Sequence, residues 1–129
     1  MNLSPYRSSD EAHEVDLIIE SIKNVSGYLM IAVYNNENDF LSDRIYSRER
    51  VKVLGKSSQS IKLNLPSGNY AIAVYHDINE DSKLNKSIIG FPAEPYGFSG
   101  DDYSRFGPPN WSDAVLRIEK DERIRISID

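Results

Sequence analysis

The sequence predicts an all-β fold: a two-sheet antiparallel β-sandwich of about seven short strands with one long ordered loop. Three observations predict it. Apolar residues recur at every second position in several short runs, turn-forming residues separate those runs, and no stretch of useful length carries the helical period. A chain of 129 residues suits a single core. We therefore expect a loose arm over residues 1–14, which is polar and carries Pro5, and one sandwich domain over residues 15–129.

The elements follow in order. Val15, Leu17 and Ile19 alternate with Asp16 and Glu20, the pattern of a strand with one face buried. Asn24 to Gly27 supplies turn chemistry, and the apolar run 28–34, rich in β-formers, reads as a central strand. Residues 35–39 are short and polar and break it, with Phe40 and Leu41 expected to plug the end of the sandwich. Residues 50–54 read as a weak strand. Residues 60–65 read as a strong one, with Ile61, Leu63 and Leu65 on one face. Pro66, Ser67 and Gly68 turn the chain into residues 69–76, where Tyr70, Ile72 and Val74 alternate with Ala71 and Ala73, so that the two strands read as a hairpin. Ala114, Leu116 and Ile118, then Ile124, Ile126 and Ile128, read as a second hairpin turning at residues 120–122.

Composition narrows the function. The net charge of -5 opposes a phosphate backbone, so nucleic acid is not expected as a partner. The cluster Arg44, Arg48, Arg50, Lys52 and Lys56, interrupted by Asp43 and Glu49, reads as a solvated strand face. No apolar run reaches the roughly 20 residues of a membrane-crossing helix. Without cysteine there are no disulfides, thiolate metal sites or cysteine nucleophiles. The N-terminal residues lack the apolar core of a signal peptide. The expected location is thus periplasmic or secreted if a leader has been removed, and cytoplasmic otherwise.

Chemistry is expected in the long segment 77–112. It holds six of the thirteen aromatic residues, four of the six prolines and four of the seven glycines, a composition that favours an ordered, folded-over loop. Asp77, Asn79, Asp81 and Asn85 fall at positions 1, 3, 5 and 9 of a calcium-loop pattern, with the Lys83 carbonyl at position 7. Ser82 and Ile88 depart from that pattern, where glycine and a closing glutamate are usual, so Glu94 or Asp101 would have to complete a Ca²⁺ shell. The alternative is that Asp77, Asn79 and Asp81 make Asx turns. Tyr96, Tyr103 and Trp111, together with His76 at the start of the segment, are candidate contacts to a protein or carbohydrate ligand, since rings with a polar tip suit a wet binding surface. Phe91, Phe98 and Phe106 read as a cluster pinning the loop to the sheet. His76 is also read as a hydrogen-bonded rim residue.

We do not expect an enzyme. The sequence has no nucleophile elbow, no H-E-x-x-H and no glycine-rich phosphate loop. The expectation is a non-catalytic binding or accessory module. The alternatives are an interaction protein that pairs through an edge strand, taken as residues 15–22, and a hydrolase whose carboxylates would be Asp77, Glu94 and Asp101.

The run from Leu65 through Pro66, Ser67, Gly68, Asn69 and Tyr70 to His76, Asp77 and Asn79, then Lys83-Leu-Asn85, Gly90-Phe-Pro-Ala-Glu-Pro-Tyr-Gly-Phe-Ser99, Gly107-Pro-Pro109 and Asp113-Ala114, resembles the bacterial family "domain of unknown function 2141" over roughly residues 15–129. The resemblance implies a small exported protein and transfers no activity. The family's loop usually reads His-Asp-x-Asn-x-Asn-Gly-Lys-Leu-Asp, and Asp81, Ser82 and Asn85 depart from it. The turn at residues 65–70 is also similar to that of transthyretin-like and carboxypeptidase-regulatory-like sandwiches, an analogy of fold alone that implies an accessory or adhesive role.

Overall fold

The computed structural model describes residues 12–78, 95–100 and 108–128. Two sheets face each other. The smaller contains β1 (Ala12–Glu20), β4 (Gln59–Pro66) and β8 (Glu122–Ser127), in the order β4-β1-β8. The larger contains β3 (Ser47–Lys52), β2 (Tyr28–Tyr34), β5 (Gly68–Asp77) and β6 (Tyr96–Phe98) in that order, and β7 (Leu116–Ile118) pairs with the other end of β5. A single helical turn, α1 (Trp111–Ala114), precedes β7.

Period-2 alternation builds the interior. Val15, Leu17 and Ile19 of β1, Ile61, Leu63 and Leu65 of β4, and Ile126 of β8 face Leu29, Ile31 and Val33 of β2 and Tyr70, Ile72 and Val74 of β5, all in one buried cluster. Each fully buried large aliphatic side chain contributes about 1.5–3 kcal/mol relative to exposure, which makes this layer the main source of stability. The sheets approach closely at Gly97. A Cβ there would overlap the Ser127 carbonyl oxygen, so β6 lies with its backbone against β8.

Four expectations are corrected. Strand structure is already present ahead of Val15, because the backbone of β1 pairs with β4 through Ala12 opposite Pro66 and His13 opposite Leu65. Ladder pairing needs no apolar side chain, and a polar strand end is silent in the alternation. Residues 59–66 and 68–77 do not form a hairpin: β4 pairs with β1, whereas β5 pairs with β2, β6 and β7. The turn at Ser67 carries the chain from one sheet to the other, and each strand still turns its apolar face inward. Residues 116–118 and 122–127 likewise part, β7 to β5 and β8 to β1, where the β1–β8 ladder is parallel while the other ladders described are antiparallel. Finally, β1 has a neighbour on both sides, so residues 15–22 do not present an open edge.

Two short contacts fix the first crossing. The Tyr70 hydroxyl donates to the Pro66 carbonyl at 2.7 Å, and His13 Nε2 lies 2.7 Å from Ser67 Oγ. Gly68 leaves room for the Tyr70 ring, which would stand 3.4 Å from a Cβ at that position. The sequence run Pro66-Ser-Gly-Asn-Tyr70 is thus a sheet-to-sheet corner closed by its own tyrosine, a device known from other sandwiches. At the same end of the larger sheet, where Tyr34 is registered with Ala71, Phe40 is half-buried between Tyr34 and Trp111 in edge-to-face contacts, with centroids 5.6 and 5.8 Å apart, and plugs the end as expected. Leu41 does not: it is 39% exposed.

Candidate functional site

The register of the larger sheet decides what its two faces carry. Arg50 lies opposite Met30, Met30 opposite Tyr75 and Tyr75 opposite Tyr96, giving one row across four strands. The next row reads Arg48, Ala32, Ala73 and Phe98. The row beyond Met30 reads Lys52, Tyr28 and Asp77. Because side chains alternate, these rows share the face turned away from the core. Met30, Ala32, Ala73, Tyr75 and Tyr96 are all half-buried there. The Arg50 guanidinium lies 3.6 Å from the Tyr28 ring centroid and the Lys52 ammonium 5.1 Å from it, within cation–π range. The Tyr96 and Phe98 rings meet edge to face at 5.5 Å. The result is an aromatic and basic outer face, one that can stack on flat or ring-shaped groups and attract negative charge.

The outer face of the smaller sheet differs. There Lys62 pairs with Glu14 at 3.3 Å and Arg125 with Glu20 at 3.0 Å, so opposite charges meet across neighbouring strands. At the Tyr34 end of the larger sheet, burial raises the Tyr34 hydroxyl pKa above its ordinary value, with Arg48 opposing the rise and Asp43 adding to it.

The sequence-predicted site residues fall in different places. His76 is wholly buried, not at a rim; it continues the inward series Tyr70, Ile72, Val74. Its Nε2 lies 2.6 Å from the Ser26 carbonyl. A carbonyl oxygen only accepts, so Nε2 donates in this contact. Among the described residues, His76 Nδ1 is buried with no hydrogen-bond partner. Asp77 is also wholly buried, beside Tyr28 in the ladder. Adjacent residues of a strand point to opposite faces, so His76 and Asp77 do not form a dyad. Tyr96 lies on the outer aromatic face, and Trp111 belongs to the Tyr34–Phe40 stack. Asn79, Asp81, Lys83, Asn85, Glu94 and Tyr103, with Asp101 and the neighbouring loop residues, lie outside the described residues. Among the described residues, no three His, Asp or Glu side chains converge as metal ligands.

What the structure does show of segment 77–112 is more regular than expected. It contributes β6, which adds to the sheet beside β5, and the first two residues of α1. β5 ends at Asp77 and β6 begins at Tyr96, and the carbonyl of Pro95 accepts from His76 N–H at 2.9 Å. Ser99, a residue sequence reasoning passed over, locks the segment in place. It is wholly buried; its N–H donates to the Ile72 carbonyl at 2.8 Å, while its Oγ accepts from Ile72 N–H at 2.8 Å and donates to the Ala114 carbonyl at 2.7 Å. Nothing local marks a serine for this role, because its partners are 27 and 15 residues away. Ser99→Ala removes a donor and an acceptor inside the protein and is expected to cost about 1–3 kcal/mol, read from urea unfolding. A loss below about 0.5 kcal/mol would show that water replaces the hydroxyl.

Fold and face together define a two-sheet β-sandwich domain whose larger sheet takes its strand β6 from segment 77–112. The chain belongs to the bacterial family DUF2141, described as uncharacterized protein conserved in bacteria, whose sequence pattern matches residues 17–126. No curated protein and no solved structure shows significant similarity to it.

Proposed function

We propose that the chain is an exported, non-catalytic binding or accessory module that engages a protein or carbohydrate ligand through segment 77–112 and the outer face of the larger sheet. One observation carries this reading: the row Arg50, Met30, Tyr75 and Tyr96 places half-buried apolar and aromatic side chains next to exposed cations. Rings held on strands offer contact area at low entropic cost. The membership in a bacterial family fits export without requiring it.

Chemical-shift mapping of the labelled chain against soluble oligosaccharides and against peptide pools tests the reading. Shifts should concentrate on the amides of Tyr28, Met30, Tyr75 and Tyr96, and Tyr96→Ala should weaken binding about tenfold without loss of fold. Shifts confined to the smaller sheet would overturn it. The metal part of the proposal assigns Ca²⁺ to Asp77, Asn79, Asp81, the Lys83 carbonyl, Asn85 and Glu94. Ca²⁺ at about 100 times its Kd should then stabilise the fold by about 2.7 kcal/mol over the chelated sample. Equal melting temperatures with and without chelator would remove the metal and leave the binding face standing.

A further inference from the structure

Backbone hydrogen bonds reveal a second surface, the edge of β3, which shares Arg50 and Lys52 with the outer face but is argued from the backbone and not from that reading. His76 N–H bonds the Pro95 carbonyl and Ser99 N–H bonds the Ile72 carbonyl, so the even-numbered residues of β5 turn their backbone groups toward β6. Antiparallel ladders alternate. The odd-numbered residues of β5 therefore bond β2, the odd-numbered residues of β2 bond β3, and the odd-numbered residues of β3 bond β2. The bond from Val53 N–H to the Gly27 carbonyl, at 3.1 Å, confirms the parity at one end. At the other end Tyr46 N–H reaches the Val33 carbonyl at 2.9 Å although Val33 is registered with Ser47, the mark of a bulge that terminates the regular edge. It follows that the N–H and C=O groups of Arg48, Arg50 and Lys52 face away from β2, and among the described residues β3 has β2 as its single neighbour.

The same three residues carry the positive charge. All three are exposed, their side chains share the outer face, and among the described residues none has a carboxylate at ion-pair distance. Cations on an edge strand often serve to repel added strands. Here the Arg50 and Lys52 head groups lean over Tyr28 of β2, away from the open side, and leave the edge clear. On the core side of β3 stand Glu49, which is exposed, and Val51, which is half-buried against the core.

We propose that the open edge of β3 receives an extended acidic peptide segment of a partner protein, which adds to the larger sheet as a further strand. Its backbone pairs with Arg48, Arg50 and Lys52, and acidic side chains at alternate positions stand directly opposite the three cations. Directly opposed opposite charges support such pairing. The residue facing Val51 is apolar and the one facing Glu49 is not acidic. The recognised pattern is therefore acidic, polar, acidic, apolar, acidic, with Arg48 at the polar end.

The test uses the full chain and a fluorescein-labelled heptapeptide with glutamate at alternate positions and threonine or valine between. Binding should appear in anisotropy and weaken about tenfold or more in the R48E/R50E/K52E variant and at high ionic strength. Arg50→Gln should give a smaller loss in the same direction and keeps the test informative if the triple variant fails to fold. Hydrogen exchange supplies the decisive readout: the amides of Arg48, Arg50 and Lys52 exchange fast in the free chain and slow about tenfold with peptide bound, while Glu49 and Val51 stay unchanged. A peptide N-methylated on its pairing amides, with the same charge, should not bind. Equal binding of that analogue would show attraction by charge alone and overturn strand addition. Absent amide protection would do the same, as would a carboxylated oligosaccharide binding equally well with the same residue dependence. Concentration-dependent self-association lost in R48E/R50E/K52E would make a second copy the occupant and equally overturn the proposal.

Discussion

Gly27→Ala is expected to cost about 3 kcal/mol of stability, against about 1 kcal/mol for Gly55→Ala, measured by urea unfolding of the two variants. Both glycines have left-handed backbone angles, φ +83° at Gly27 and +85° at Gly55, so an added Cβ meets a similar local penalty at each. Their surroundings differ. Nothing lies within 4 Å of a Cβ at Gly55, whereas at Gly27 it would overlap the Asp77 carbonyl oxygen and stand 2.9 Å from Ile78 Cα. Those are backbone atoms at the end of β5 and cannot rotate aside. Moving Gly27 instead strains the bond its carbonyl accepts from Val53 and the neighbouring Ser26 carbonyl held by His76. The difference between the variants thus measures the close approach alone, and equal costs would show that the strand end yields. Because Asp77 opens segment 77–112, Gly27→Ala should also weaken ligand binding at the outer face, which Gly55→Ala should not.

That close approach explains part of what the sequence could and could not disclose. Residues 28–34 were legible as a strand because they form an apolar run of β-formers between turn residues, and residues 60–65 because burial imposes a period of two on their side chains. His76 obeys the same rule, being the next inward position after Tyr70, Ile72 and Val74; the adjoining polar loop drew it to the rim in the sequence reading. Strand partners were not legible. The alternation says which face is buried and is silent on which strand lies alongside, so the corner at Ser67 and the turn before β8 both passed for hairpins. The outer face was half legible. Arg48, Arg50 and Lys52 stood out as a strand face, while their alignment with Met30, Tyr75 and Tyr96 depends on register between distant segments. Ser99 depends on long-range bonds alone and left no local signal.

Alkaline unfolding should report on the corner that the sequence motif Pro66-Ser-Gly-Asn-Tyr70 builds. Tyr70 is 4% exposed, donates its hydroxyl to the Pro66 carbonyl and tilts its ring against Tyr46 at 5.8 Å. Burial, then the neighbouring Tyr46, pushes its pKa up to about 12. In the unfolded chain the same phenol titrates near 10. Between those values the folded chain keeps a proton that the unfolded chain has lost, so folding is favoured less and less as pH rises. The stabilisation is complete below about pH 10 and disappears as pH climbs through about 12. Tyr70→Phe removes the titrating group together with its hydrogen bond. At neutral pH the variant should be less stable by about 1–2 kcal/mol, since the Pro66 carbonyl loses its donor. The gap between the two proteins should then narrow across the alkaline window, because the variant has no phenol to ionise at that position. Tyr34, whose pKa burial also raises, adds a slope of the same sign to both proteins and cancels in the comparison. Stability curves in urea from neutral pH to about pH 12 therefore decide the matter. If the gap stays constant, Tyr70 ionises alike in the folded and unfolded chains, and the corner is held by packing of the ring against Gly68 and Tyr46 without help from the buried hydroxyl.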